Sequence, residues 1–365
     1  MNNRLPWHDT LWQQVQRSCQ QDRLPHALLL CGPLGMGKAL FAQHLAENLL
    51  CEKSPLHTED KGRKSVSSHD GGVPPFEKGG GGISASTCGH CKSCYLLRAK
   101  THPDLLNVQP AETGKQISID QIRSLIQFYT LTANYGRYQI AIVAPAEAMT
   151  RNAANSLLKL LEEPPPKTLI MLVSHQPSAL LATILSRCQR LDFGSPNRTA
   201  AQTWLRSRLN EKKRVTEDYV QLLLNLSTQA PLAALALVET EGMAKRQALF
   251  DSLTQLPSGQ IDPVRVAEGW SKLEAAPVLQ WMLSWTMDII RYATTGHTQY
   301  LVNYDHQEAL QRLAKQLNLR RLFEILDLQQ EAYWLVTGSA NIKPQGLLES
   351  IAIAWVKLGA QHHRR

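Results

Sequence analysis

Residues 26–50, HALLLCGPLGMGKALFAQHLAENLL, constrain the fold more than any other stretch of the chain. An apolar run of strand length enters a glycine-rich loop, and the loop opens into a helical pattern. The loop GPLGMGKA, residues 32–39, follows G-x-x-x-x-G-K-[ST] up to its last position, where Ala39 replaces the hydroxyl. In such loops glycines let backbone N–H groups wrap phosphates at a helix N-terminus, the lysine pairs with β and γ oxygens, and Ser or Thr ligates Mg²⁺. Gly32, Gly35, Gly37 and Lys38 keep that cradle. The strand before it and the helix after it distinguish it from a chance glycine turn.

Further short apolar runs follow: DLLNVQP (104–110), YQIAIVAP (138–145), TLIMLVS (168–174) and CQRLDF (188–193). Their continuous apolar character predicts strands buried on both faces of a parallel sheet flanked by helices, a doubly wound α/β core. Between them lie helical patterns such as NAANSLLKLLEE, stopped by Pro164, Pro165 and Pro166. From Ser195 onward strand signals vanish. NRTAAQTWLRSRL and EDYVQLLLNLSTQAPLAALALVE make a small helical unit, and longer amphipathic segments follow Gly242. Val278, Met282, Trp285 and Ile289 recur at helical spacing, and GLLESIAIAWVKL repeats the pattern. These Trp and Met stripes predict packing between helices rather than a cofactor site. At 365 residues, 43% of them hydrophobic, the chain exceeds one ordinary domain. The organisation read from it is α/β plus all-α: a core over 1–193, a helical unit over 194–241 and a second helical domain over 242–365.

Residues 52–87 belong to neither half. They hold 7 of the 21 glycines and few large apolar residues, so a mobile loop is expected there. Their charges balance, five acidic against five basic, which gives no tether to DNA. The whole chain carries a formal net charge of +8, which suits an anionic partner but is more often a solubility device. The N-terminus has no apolar segment of a secretory kind, and no run reaches the ~18 apolar residues of a membrane span, so a soluble cytoplasmic protein without membrane contact is expected.

Hydrolysis of a bound nucleotide needs more than a cradle: an oxygen ligand for the metal, a carboxylate at the end of a neighbouring strand and a base for the water. Ala39 offers no oxygen, and the strand QIAIV ends in Ala144-Pro145 where a working site would carry Asp-Glu. Glu147, Glu162 and Glu163 lie nearby in sequence and read as a solvated loop and a helix end. The three losses together predict no Mg²⁺-dependent hydrolysis. Binding of ATP or ADP through the loop and Lys38 stays open, as does an active ATPase that uses a displaced carboxylate such as Glu147. In TILSRCQRLDF, Arg187 precedes the last strand of the core, where an arginine can project from the domain edge toward a neighbouring subunit's phosphate.

Cys88, Cys91 and Cys94 form C-x2-C-x2-C, and Cys51 closes the helix after the glycine loop. In a reducing cytosol such a set predicts a metal site rather than disulfides. Four thiolates around Zn²⁺ make a closed structural site. The fourth ligand is open between Cys51, His90 and His102, and an iron–sulfur cluster is the competing metal. A zinc-containing nucleic-acid-binding module is a second functional alternative.

The stretches HALLLCGPLGMGK, CGHCKSCYLLRAKTHPDLLNVQP, ISIDQIRSLIQF, NAANSLLKLLEEPP and ATILSRCQRLDF cover most of residues 24–193. They resemble the delta-prime subunits of the bacterial DNA polymerase III clamp loader, relatives of the gamma/tau motor subunits. The resemblance implies an AAA+ core, a helical lid over 194–241 and a collar over 242–365 that joins subunits in a ring. It implies structural Zn²⁺ on Cys51, Cys88, Cys91 and Cys94, with 52–87 as an insertion in the zinc module. It further implies that Arg187 completes an ATP site on an adjacent gamma/tau subunit. The role implied is a non-catalytic stator that, with the delta subunit, helps load the β sliding clamp on primed DNA.

Overall fold

A computed structural model of the chain describes residues 5–54, 56, 87–112, 114–130, 133, 135, 138–210, 215–338 and 343–359. The segment read as a mobile loop lies outside the described residues, apart from 52–54, 56 and 87. The described chain falls into two compact units, Met1–Ser195 and Pro196–Arg365.

In the first unit, elements follow in the order α1 (Asp9–Gln20), β1 (Ala27–Cys31), α2 (Lys38–Leu50), α3 (Lys92–Arg98), β2 (Leu105–Val108), α4 (Ile119–Thr130), β3 (Gln139–Val143), α5 (Arg151–Glu162), β4 (Thr168–Ser174), α6 (Ala182–Leu185) and β5 (Gln189–Asp192). The five strands form one sheet in the order β2-β3-β4-β1-β5, with every pairing parallel. The three inner strands are buried at every position, as their unbroken apolar runs require. The edges differ from that expectation. In β5 only Leu191 is buried, and in β2 only Val108, because an edge strand has a neighbour on one side and its polar residues reach water.

Helix α5 shows how the sequence sets the local structure. The Thr150 side chain accepts a hydrogen bond from the Ala153 N–H at the N-cap, and Leu157, Leu160 and Leu161 turn one face into the core. Each such leucine contributes about 1.5–3 kcal/mol by leaving water. Pro164 then prevents continuation.

Because all strands run the same way, the loops that follow β1, β3 and β4 share one rim of the sheet, the usual place for a ligand in an open α/β fold. The segments that precede β1 and β5 share the opposite rim.

The second unit contains α7 (Arg198–Asn210), α8 (Glu217–Leu226), α9 (Pro231–Glu239), α10 (Gly242–Gln255), α11 (Pro263–Ser271), α12 (Ala275–Thr295), α13 (Gln307–Gln316), α14 (Leu319–Thr337) and α15 (Pro344–Gly359). Leu205, Leu223 and Ala234 anchor one core among α7, α8 and α9. Val278, Met282, Trp285 and Ile289 lie in a second core with Trp355. Between helices sits a buried polar network. Asp288 accepts from the N–H groups of Val302 and Asn303 at 2.9 and 2.8 Å and pairs with Arg291 at 2.8 Å. Arg246, also buried, donates to Asn303 and Asp305. Among the described residues no single helix is long and apolar enough to cross a membrane. Helices α8 and α9 pass that test jointly, but they meet at a bend of 105°, and their apolar residues belong to the small helical core.

Candidate functional site

Strand β1 delivers the chain to Gly32, whose φ of +146° is needed because a Cβ there would stand 2.4 Å from the Phe193 carbonyl oxygen. At the loop's far end Gly37 has φ +82°, and its missing Cβ makes room for Leu5 and His8. The N-terminal segment braces this loop from outside. Trp7 Nε1 donates to the Met36 carbonyl at 3.0 Å, and His8 Nε2 lies 2.8 Å from the same oxygen. His8 also meets Phe41 and Phe193 edge to face, at 5.5 and 5.3 Å between ring centres. Nothing in the spacing of Trp7 and His8 announces this contact.

The lysine of the loop is turned inward. Lys38 Nζ donates to the carbonyls of Gly32 and Pro33 at 2.5 and 2.6 Å, and the residue is 2% exposed. Burial pushes its amine down to about 8, against the opposing pull of the Glu147 carboxylate. The methyl of Ala39 is exposed and supplies no ligand.

At the end of β3, Ala144 and Pro145 offer no carboxylate. Glu147 is not the solvated loop residue that its sequence position suggests. Its Oε1 accepts from the His175 N–H at 2.9 Å, just past the end of β4, while Oε2 is buried without a hydrogen-bond partner among the described residues. The reason is topological: β3 and β4 are hydrogen-bonded neighbours, so the turn after one meets the end of the other. This pairing with His175 was not legible from the sequence.

Arg187 lies at the opposite rim. The register pairs Leu28 with Gln189, which puts Arg187 level with the start of β1; some six residues of strand rise, roughly 20 Å, separate that level from the glycine loop. Its guanidinium pairs with Glu162 at 2.7 Å and donates to the Thr183 carbonyl at 3.0 Å. His26 Nε2 reaches the Leu161 carbonyl at 3.0 Å on the same rim.

The cysteine centre joins two helix ends. Cys51 caps the C-terminus of α2, and Cys91 the N-terminus of α3, its sulfur accepting from the Cys94 N–H. The sulfurs of Cys51, Cys88, Cys91 and Cys94 all lie within 4.8 Å of one another, and those of Cys88 and Cys94 are 3.9 Å apart. A tetrahedral ion at Zn–S distances of about 2.3 Å sets sulfurs about 3.8 Å apart, so the four fit one such ion. Both histidines lie outside the cluster. His102 uses its ring nitrogens on Ser93 and the Asp104 N–H, and His90 faces the Cys88 carbonyl and Lys53.

The sheet order, the glycine loop after the inner strand β1 and the missing metal ligands define a degenerate P-loop domain of the AAA+ type, followed by helices. The model of a family described as "DNA polymerase III, delta subunit" matches residues 7–71 and 81–197. One described as "DNA polymerase III, delta subunit, C terminal" matches residues 240–357. The chain belongs to the delta' family of DNA polymerase III subunits. It is 33% identical to the DNA polymerase III subunit delta' of Pseudomonas aeruginosa over 97% of each chain. To that of Escherichia coli K12 it is 30% identical, over 88% of this chain and 86% of the relative. A DNA polymerase III subunit tau of Salmonella typhimurium is 27% identical over 65% of this chain and 33% of its own length.

Proposed function

We propose that the chain is a non-catalytic subunit of the replicative clamp loader, which donates Arg187 to the ATP site of a neighbouring gamma/tau subunit. The observation that carries this reading is the separation of parts. The glycine loop lacks both a hydroxyl at Ala39 and a carboxylate at Ala144-Pro145, while Arg187 stands at the opposite rim of the sheet, beyond reach of its own chain's loop. An arginine so placed serves another molecule's phosphate or none. Such a finger is worth ~10³–10⁵ in rate where it has been measured.

Family membership supports the rest of the reading. The helical segments 194–241 and 242–365 act as lid and collar, the collar joining this chain to gamma/tau and delta subunits. The assembly loads the β sliding clamp on primed DNA. The four cysteines hold one structural Zn²⁺, which ties α3 to the end of α2 and leaves no open position for substrate. An active ATPase built on Glu147 is the weaker reading, because that carboxylate is engaged by the His175 N–H. A nucleic-acid module centred on the cysteines is weaker too, since a closed four-thiolate site is accounted for by cross-linking two helices.

The test is ATP hydrolysis by the pure chain, then by a complex reconstituted with wild-type or Arg187→Ala chain and stimulated by primed DNA. Silence of the pure chain and a large Arg187-dependent rate in the complex support the reading. Turnover by the pure chain, or an unchanged rate with Arg187→Ala, overturns it.

A further inference from the structure

We propose that Glu162 is a positioning residue for Arg187; this rests on the reading of Arg187 as a finger for a neighbouring subunit. Glu162 ends α5 and Glu163 follows it, so two carboxylates stand where the helix dipole already concentrates negative charge. Helix physics disfavours acids at that end, and a local violation of this kind marks a position kept for another purpose. The Arg187 guanidinium supplies the compensation, its Nη2 2.7 Å from Glu162 Oε1.

A second helix end completes the hold. Arg187 Nη1 donates to the Thr183 carbonyl at 3.0 Å, in the short α6, and to Ser186 Oγ at 3.4 Å. The guanidinium therefore lies between the C-termini of α5 and α6, which fixes its plane. With five N–H donors, an arginine held this way keeps donors to present to an outside anion. Both side chains reach water, Arg187 at 34% and Glu162 at 49% exposure. A pair so exposed biases a conformation by roughly two- to five-fold. That is enough to orient the arginine and too little to withhold it from a polyphosphate, which carries more charge than one carboxylate.

The experiment measures kcat and KM for ATP in the reconstituted complex with wild-type, Glu162→Gln, Glu162→Asp, Arg187→Ala and Glu162→Gln/Arg187→Ala chains. Glu162→Gln is expected to lower kcat about two- to five-fold with KM unchanged, and Glu162→Asp to recover part of the loss. In the Arg187→Ala background, Glu162→Gln is expected to have no further effect. Removing negative charge from a helix C-terminus does not unfold the helix, and thermal unfolding of the free chain checks this. Full activity of Glu162→Gln beside an impaired Arg187→Ala overturns the proposal and leaves the finger standing. Equal losses from Glu162→Gln in both backgrounds overturn it as well, since a purely structural role behaves that way. Full activity of Arg187→Ala removes the finger, and this proposal with it.

Discussion

Lys38 Nζ lies 2.5 Å from the carbonyl oxygen of Gly32 and 2.6 Å from that of Pro33, so the amine a phosphate would engage is satisfied by its own loop. Its charge is nonetheless buried, with the Glu147 carboxylate as the opposing group, and the folded chain holds the proton only up to about pH 8. The unfolded chain keeps it to about pH 10.4. Between those values the unfolded state binds more protons, so stability rises with pH through this window. Wild type should gain up to about 3 kcal/mol relative to Lys38→Met as pH rises from 8 to 10.5. Urea unfolding of both proteins across that range measures the gain, and parallel curves would show that Lys38 is not held as described.

The cysteine centre predicts a metal content. Purified chain should carry one Zn²⁺ by mass spectrometry, and Cys91→Ser should lose it along with several kcal/mol, roughly 3 or more, of stability. Cys51→Ser should behave alike, because the Cys51 sulfur lies within the same cluster. Cys19→Ser, outside the cluster, should retain the metal. Metal-free wild type as stable as the metal-loaded protein would show that the thiolates do not cross-link the fold.

The inner strands and the glycine loop were legible because burial on two faces demands unbroken apolar runs, and a phosphate cradle demands glycines at fixed offsets. Edge strand β5 was legible as a strand but not as an edge, since Leu191 and Phe193 sit among Gln189, Arg190 and Asp192 and only the sheet order decides which of them reach water. The triplet Cys88, Cys91 and Cys94 announces itself, whereas 36 residues separate Cys51 from Cys88, so spacing alone leaves Cys51 level with His90 and His102, the family resemblance favours it, and the fold sets its sulfur within the cluster. Glu147 departs from the solvated reading, whereas Glu162 does reach water at its helix end. Each also meets a partner distant in sequence, the His175 N–H and the Arg187 guanidinium, and no local pattern encodes such a meeting. Two carboxylates at a helix C-terminus were the one available signal, because their position runs against the dipole.

A last prediction concerns acid. The His306 ring stacks on Phe250, 3.8 Å between centres and 1° from parallel, and its Nε2 lies 2.9 Å from Gln247 Oε1. Burial lowers its pKa to about 4; the carboxylates of Asp305 and Asp251 oppose the shift, and the Arg246 guanidinium adds to it. The ring thus stays neutral in the fold while an unfolded histidine takes up a proton near pH 6.5. Between those values the unfolded state again binds more protons, so acidification from pH 6.5 toward 4 removes stability, up to about 3 kcal/mol for this group. His306→Gln gives up the stacking and should be less stable at neutral pH, but the deficit should shrink as pH falls because the variant has no proton to gain at this position. Thermal or urea unfolding of both proteins between pH 7 and pH 4 reads that convergence. A constant difference across the range would mean that the imidazole charges freely in the folded state, and that its stack on Phe250 does not keep it neutral.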